Sequence, residues 1–280
     1  MRTDNLIIVG LGVIATVFAV LVTVWWGGLP VRSPEPAADP QAVRRTEAFN
    51  AAAWSLAAVL SAGAVAGMVV GGLLARVIMR IAGGVSPPEA QGRLTEAEET
   101  VGEITVGGTL AVVVFVGLVG GIVAVGLYLL ARPWLPATAR GAGVLIGLFV
   151  MGLLGPGDPL NPDNIDFDLL SYDLLTVLLI IGGSLLFGTA FASLAARFDV
   201  AAQGRSPARW LLGLGYLVLA FVPLIVAALV YLGGRTILPG RLRPLLHRRP
   251  VQIVGRVLLM VIAAVMVVRL AVVSVDIVTD

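Results

Sequence analysis

The sequence predicts an all-α fold, a polytopic transmembrane helical bundle, on three observations. Of its 280 residues, 58% are hydrophobic and only 13% charged, about half the charged share of a soluble domain. The apolar residues gather in runs close to the ~20 residues that a bilayer-crossing helix needs. All five tryptophans stand at the ends of those runs, at the level where indoles meet the headgroups. A soluble globular domain, a disordered chain and a disulfide-stapled secreted module are excluded by the same composition.

The first run, Asn5–Trp26, follows a short charged start and closes on Trp25 and Trp26. It is longer than the ~7–15 apolar residues of a secretory signal, and no small-x-small cleavage site follows, so a retained anchor is expected. Prolines 30, 34, 36 and 40 then make a stiff linker. Residues 1–50 are thus read as anchor and linker, and 51–280 as the helical membrane domain. Within it the full-length runs are Ala51–Ala75, Thr105–Ala131, Leu169–Phe198, Trp210–Gly233 and Val251–Val275. Gly141–Gly155 is short, about 22 Å of helix against a core near 30 Å, and either crosses or re-enters. The count is about seven spans, six plus this segment.

Between Ala75 and Thr105, Ser86-Pro-Pro-Glu89 and Thr95-Glu-Ala-Glu98 have the pattern of helix starts, which predicts short surface helices. Small residues recur at four-residue spacing: Gly63, Gly67, Gly71 and Ala75 as a glycine zipper, then Gly117 and Gly121, Gly143 and Gly147, and Ser184, Gly188 and Ala192. In lipid, helices associate where small side chains let backbones approach. These faces are expected to pack the bundle from within, with a homo-oligomer contact as their other use.

Tyr128-Leu-Leu-Ala-Arg132-Pro-Trp-Leu135-Pro136 and Tyr231-Leu-Gly-Gly-Arg235-Thr-Ile-Leu238-Pro239 share the pattern Y-L-x-x-R-x-x-L-P. They suggest two three-span repeats, 51–155 and 169–275, which an odd span number would set in inverted orientation. Retained arginines mark the cytoplasmic side, but seven spans divide them ten to nine and leave the orientation open. With a re-entrant short segment the division is eleven to eight, and the N-terminus falls outside.

Cysteine is absent and His247 is the one histidine, which excludes disulfides, thiolate nucleophiles and His- or Cys-based metal sites. No catalytic residue, cofactor or metal is expected. Every basic residue is Arg, a codon preference that suggests a GC-rich bacterial genome. The net charge of +2 does not point to nucleic acid, because the arginines flank apolar runs.

Three groups are candidates for binding. Arg76 and Arg80 lie one turn apart on one helix face, either as an anion or lipid-phosphate clamp or as arginines snorkelling to the interface. Asp158, Asp163, Asp166, Asp168 and Asp173 form an acidic vestibule that departs from a calcium loop at Leu169 and Leu175. Turn formation, with Asp168 or Ser171 capping the next span and Asp173 favouring its positive N-terminal dipole end, is its structural alternative. Arg269 stands inside the last run with Asp276 seven residues on, a candidate intramembrane pair. The stretch Arg235–Arg256 holds six arginines among three prolines and reads as an interfacial segment on anionic headgroups of membrane lipids.

Ala75-Arg76-Val-Ile-Met79-Arg80, Thr105-Val-Gly-Gly108-Thr109 and Asn161-Pro-Asp163-Asn164-Ile-Asp166-Phe167 together resemble an uncharacterised family of actinobacterial polytopic membrane proteins. The resemblance covers roughly Ala51 to the C-terminus. It implies a bacterial plasma-membrane location and no particular activity. The function expected is that of a non-enzymatic membrane protein, transporter-like or structural and lipid-interacting. The alternative is a membrane enzyme acting on lipid-linked or phosphate-bearing substrates through the acidic loop and the Arg pair.

Overall fold

The computed structural model describes residues 45–95, 100–101, 103, 105–164, 166–167, 173–203 and 248–279. The segments Asn5–Trp26 and Trp210–Gly233, the proline linker, Asp168, His247 and the second copy of the Tyr-Leu-x-x-Arg pattern lie outside them. The described residues are all-helical, without a strand and with a single bridge between Leu94 and Thr100. Among the described residues five helices are long and apolar enough to cross a membrane: Trp54–Val85, Val106–Ala131, Ala139–Gly157, Asp173–Val200 and Arg249–Thr279.

The first rod is α1 (Arg45–Val65), a π-helical segment π1 (Ala66–Gly72) and α2 (Leu73–Val85). The second is α3 (Val106–Val112), π2 (Val113–Leu118) and α4 (Val119–Ala131). Both π segments are built from glycine, β-branched valine and few strong helix formers, a composition that weakens the α register. α5 (Ala139–Leu154) runs on into a 3₁₀ turn, Gly155–Gly157, and α6 (Asp173–Gln203) and α7 (Arg249–Thr279) complete the set. Thr105 and Thr138 cap α3 and α5, their hydroxyls accepting from the Gly108 and Gly141 N–H groups at 3.0 and 3.3 Å.

Glycine positions set how the rods meet. A methyl group added at Gly67 would fall on the Gly117 carbonyl, one at Gly121 on the Gly63 carbonyl, and one at Gly72 within 2.6 Å of the Val113 Cα. The two rods therefore run antiparallel in backbone contact. Gly71 is looser, since a methyl group added there would lie 3.6 Å from the Phe187 ring, so the tight contact passes to Gly72 after π1 has turned the face. In α5, Gly143 and Gly147 meet the backbone of Thr189 and Ser184 on α6, again antiparallel. There the Ser184 hydroxyl donates to the Gly147 carbonyl at 2.9 Å. Ser184→Ala is expected to cost about 0.6 kcal/mol, measured by denaturant titration in micelles against wild type.

α6 is the hub. Every residue from Phe187 to Ala196 is buried, as a helix surrounded by others must be. Around it Leu56, Leu60, Val125, Tyr128, Ile146 and Phe191 form the main core, with the Tyr128 and Phe191 rings edge to face at 5.5 Å. α7 lies outermost and leaves Ile253, Val254, Val257, Leu258, Val261, Val265 and Val268 exposed, a surface suited to lipid rather than water. It is held where Gly255 receives the Trp134 indole and Gly152 receives Met266. Those two contacts make α7 parallel to α5.

Two local expectations resolve differently in the structure. Ser86 ends α2 rather than starting a helix: its hydroxyl turns back to the Gly83 carbonyl at 2.7 Å, and only a 3₁₀ turn, Pro88–Ala90, follows. Two prolines after Ser86 leave too few donors for a longer helix. The short segment extends beyond both of its expected ends, and Ala139–Gly157 spans 19 residues, about 28 Å. Its two ends lie at opposite ends of the bundle.

Candidate functional site

The directions of the helices gather charge. At one end lie the start of α1, the end of α4, the start of α5, the end of α6 and the start of α7. This end carries Arg132, Arg140, Arg197, Arg248, Arg249 and Arg256, against Asp199. The other end carries Arg76, Arg80, Arg93 and Arg269 against Glu89, Glu103, Asp158, Asp163, Asp166, Asp173 and Asp276. Among the described residues the bundle thus has a basic end and an acidic end.

Inside the basic end sits a buried charged cluster. Arg132 follows α4 at its C-cap, its N–H bonded to the Tyr128 carbonyl at 2.8 Å. Its guanidinium donates from Nη2 to Asp199 Oδ2 on α6 at 3.0 Å and from Nη1 to Ser55 Oγ on α1 at 2.7 Å. The guanidinium carbon lies 5.8 Å from the centre of the Tyr128 ring, within cation–π range. Arg132, Ser55 and Asp199 are 5%, 6% and 7% exposed. A buried arginine must be paired and hydrogen-bonded to be tolerated, and here three helices supply the partners. Position at the C-terminal end of α4 adds a favourable dipole.

This cluster is not among the candidates read from the sequence. Arg132 was visible in the Tyr-Leu-x-x-Arg pattern, but it and Asp199 each stand at the end of an apolar run, where charges are expected anyway. Their separation of 67 residues leaves no local signal of the pairing.

The sequence-derived candidates lie at or toward the acidic end. Arg76 is buried, 6% exposed, with Nη1 3.6 Å from Met79 Sδ, so it does not snorkel outward. Arg80 is half-buried one turn on. Asp158 and Asp163 are exposed, while Asp166 and Asp173 are half-buried. Asn161 and Asn164 order this loop, their side-chain carbonyls accepting from the N–H groups of Asp163 and Asp166 at 3.2 and 2.8 Å. Leu160 and Phe167 anchor it against Met151, Val177, Leu270 and Ile277. Among the described residues no three His, Cys, Asp or Glu side chains converge as metal ligands.

Arg269 does not turn toward Asp276. Its Nη1 donates to the Gly152 carbonyl at 3.0 Å, one of the last carbonyls of α5, which have no partner within their own helix. Asp276 is about 10 Å farther along the axis, in line with the absence of an ion pair between the two. No family model matches the chain, and no curated protein and no solved structure is similar to it.

Proposed function

We propose that the protein is a non-enzymatic, multi-pass protein of the bacterial plasma membrane, a structural and lipid-interacting subunit whose basic end lies on the anionic headgroups of the cytoplasmic leaflet. One observation carries this reading: the arginines Arg140, Arg197, Arg248, Arg249 and Arg256 are all exposed at one end of the bundle, the arrangement that retention of positive charge inside produces. Backbone contacts at Gly67–Gly117 and Gly147–Ser184 close the middle of the bundle, which favours a structural role over a transport path. The resemblance carried by Ala75–Arg80 supports the location.

Exposed arginines near an anionic surface contribute about 1 kcal/mol each. Replacing Arg248, Arg249 and Arg256 together by Gln is therefore expected to weaken binding of phosphatidylglycerol in zwitterionic nanodiscs roughly 100-fold. Native mass spectrometry of lipid retained at rising salt reads this directly. Equal retention of phosphatidylglycerol and phosphatidylcholine by the wild type contradicts the proposal.

The enzyme reading keeps one supporting observation, since Arg76, Arg80 and the acidic loop belong to the same end. It predicts that Asp158→Asn, Asp163→Asn and Asp166→Asn abolish turnover of a lipid-linked phosphate substrate while leaving the fold intact.

A further inference from the structure

The two π segments lie at one level of the bundle and face each other. Gly67 in π1 and Gly117 in π2 are in backbone contact, so no side chains interlock between the rods at that point. Hydrogen bonding at the borders of π2 is mixed. The Val113 N–H is shared between the Leu110 and Thr109 carbonyls, and the Val119 N–H between those of Phe115 and Val116. A shared N–H has two acceptors of neighbouring register within reach, so exchange of one for the other breaks no hydrogen bond outright. Mid-helix π turns mark functional positions more often than chance.

On the basic side of these segments the buried cluster supplies polar ties between α1, α4 and α6, beside the apolar packing of Leu56, Leu60 and Tyr128 around Phe191. α1 carries Ser55 about 18 Å from Gly67, and α4 leads to Arg132 about 22 Å from Gly117. Arg132 holds both Ser55 and Asp199. On the acidic side, α2 is fixed to α6 independently, with Leu74 and Ile78 packed over Gly183.

From these observations we propose a hinge and a latch. The paired π segments let α1 and α4 swing as one unit against α6, and the Arg132–Asp199 pair with Ser55 latches that unit closed at the basic end. Breaking the latch opens the basic end between α1 and α6 and leaves the acidic end in place. This does not depend on which partner or lipid the protein serves.

The absence of cysteine allows spin labels to be placed directly. One pair, Trp54→Cys with Val200→Cys, reports the basic end. The other, Ile81→Cys with Leu174→Cys, reports the acidic end, and all four positions are exposed. Distances are measured by pulsed electron paramagnetic resonance in nanodiscs, in otherwise wild-type protein, in Asp199→Asn and in Ser55→Ala. The expected result is a basic-end distribution that lengthens by several ångström and broadens in Asp199→Asn, changes less in Ser55→Ala, and leaves the acidic-end distribution unchanged in both. Hydrogen exchange in 66–72 and 113–118 should rise in the same variants. An unchanged basic-end distance overturns the latch. Equal broadening at both ends overturns the hinge. If Asp199→Asn does not fold, Ser55→Ala alone decides, because it leaves the ion pair in place and any opening must still be confined to the basic end.

Discussion

Replacing Asp199 by Leu is expected to cost about 3–5 kcal/mol of bundle stability, the penalty for removing one partner of a buried ion pair. Arg132 would keep its charge at 5% exposure without the carboxylate that faces it, while its bond to the Ser55 hydroxyl stays. A guanidinium cannot shed its proton, so the site has no means of neutralising itself. The reverse change, Arg132→Met, also removes one partner of the buried pair and is expected to destabilise the bundle. The double variant Arg132→Met/Asp199→Leu should return to wild-type stability or above it, since a packed apolar pair of similar volume replaces a buried ion pair without loss. Unfolding in mixed micelles, followed by tryptophan fluorescence, gives all four corners of the cycle. A coupling energy near zero would mean that the pair contributes nothing beyond its separate residues.

The second large effect is steric. Gly67→Ala places a methyl group on the Gly117 carbonyl and 3.2 Å from the Gly121 Cα. Backbone cannot yield as a flexible side chain does, so the rods must separate, at about 1–3 kcal/mol for one added carbon. Gly67→Leu should prevent native packing of the pair. Gly120 and Gly126 lie on the same rod as Gly117 with nothing within 4 Å of an added methyl. There Ala is expected to be neutral or to add up to ~1 kcal/mol by helix propensity. Thermal aggregation in detergent ranks these variants. Equal losses at Gly67 and Gly120 would show that glycine matters for flexibility and not for close approach.

What the sequence makes legible follows from how local each property is. Span length and the positions of Trp54 and Trp134 are properties of continuous stretches, and the helices appear where the apolar runs are. Small residues at Gly63, Gly67, Gly117, Gly121, Gly143, Gly147 and Gly188 meet neighbouring backbones, because few other residues permit such approach. The shift from Gly71 to Gly72 was not legible, since it depends on π1, and its run of glycine, valine, alanine and methionine reads equally as ordinary α-helix. The cluster of Ser55, Arg132 and Asp199 was hidden because each member looks like an ordinary polar residue near a span end. Arg269 carried a real signal as a charge inside an apolar run, but its partner is a backbone carbonyl on α5, which no pattern of side chains can announce. The charge asymmetry was masked in turn, because a ten-to-nine balance depends on how each segment is assumed to cross.

Placement of the two ends is tested most directly by single cysteines at Glu89, Asp158, Thr138 and Arg248, labelled in intact cells with a membrane-impermeant thiol reagent. Glu89 and Asp158 belong to the acidic end and should label at once. Thr138 and Arg248 belong to the basic end and should label only after the membrane is opened. Labelling of Arg248 together with Asp158 in intact cells would contradict the arrangement, because it would put the start of α7 on the same side as the end of α5.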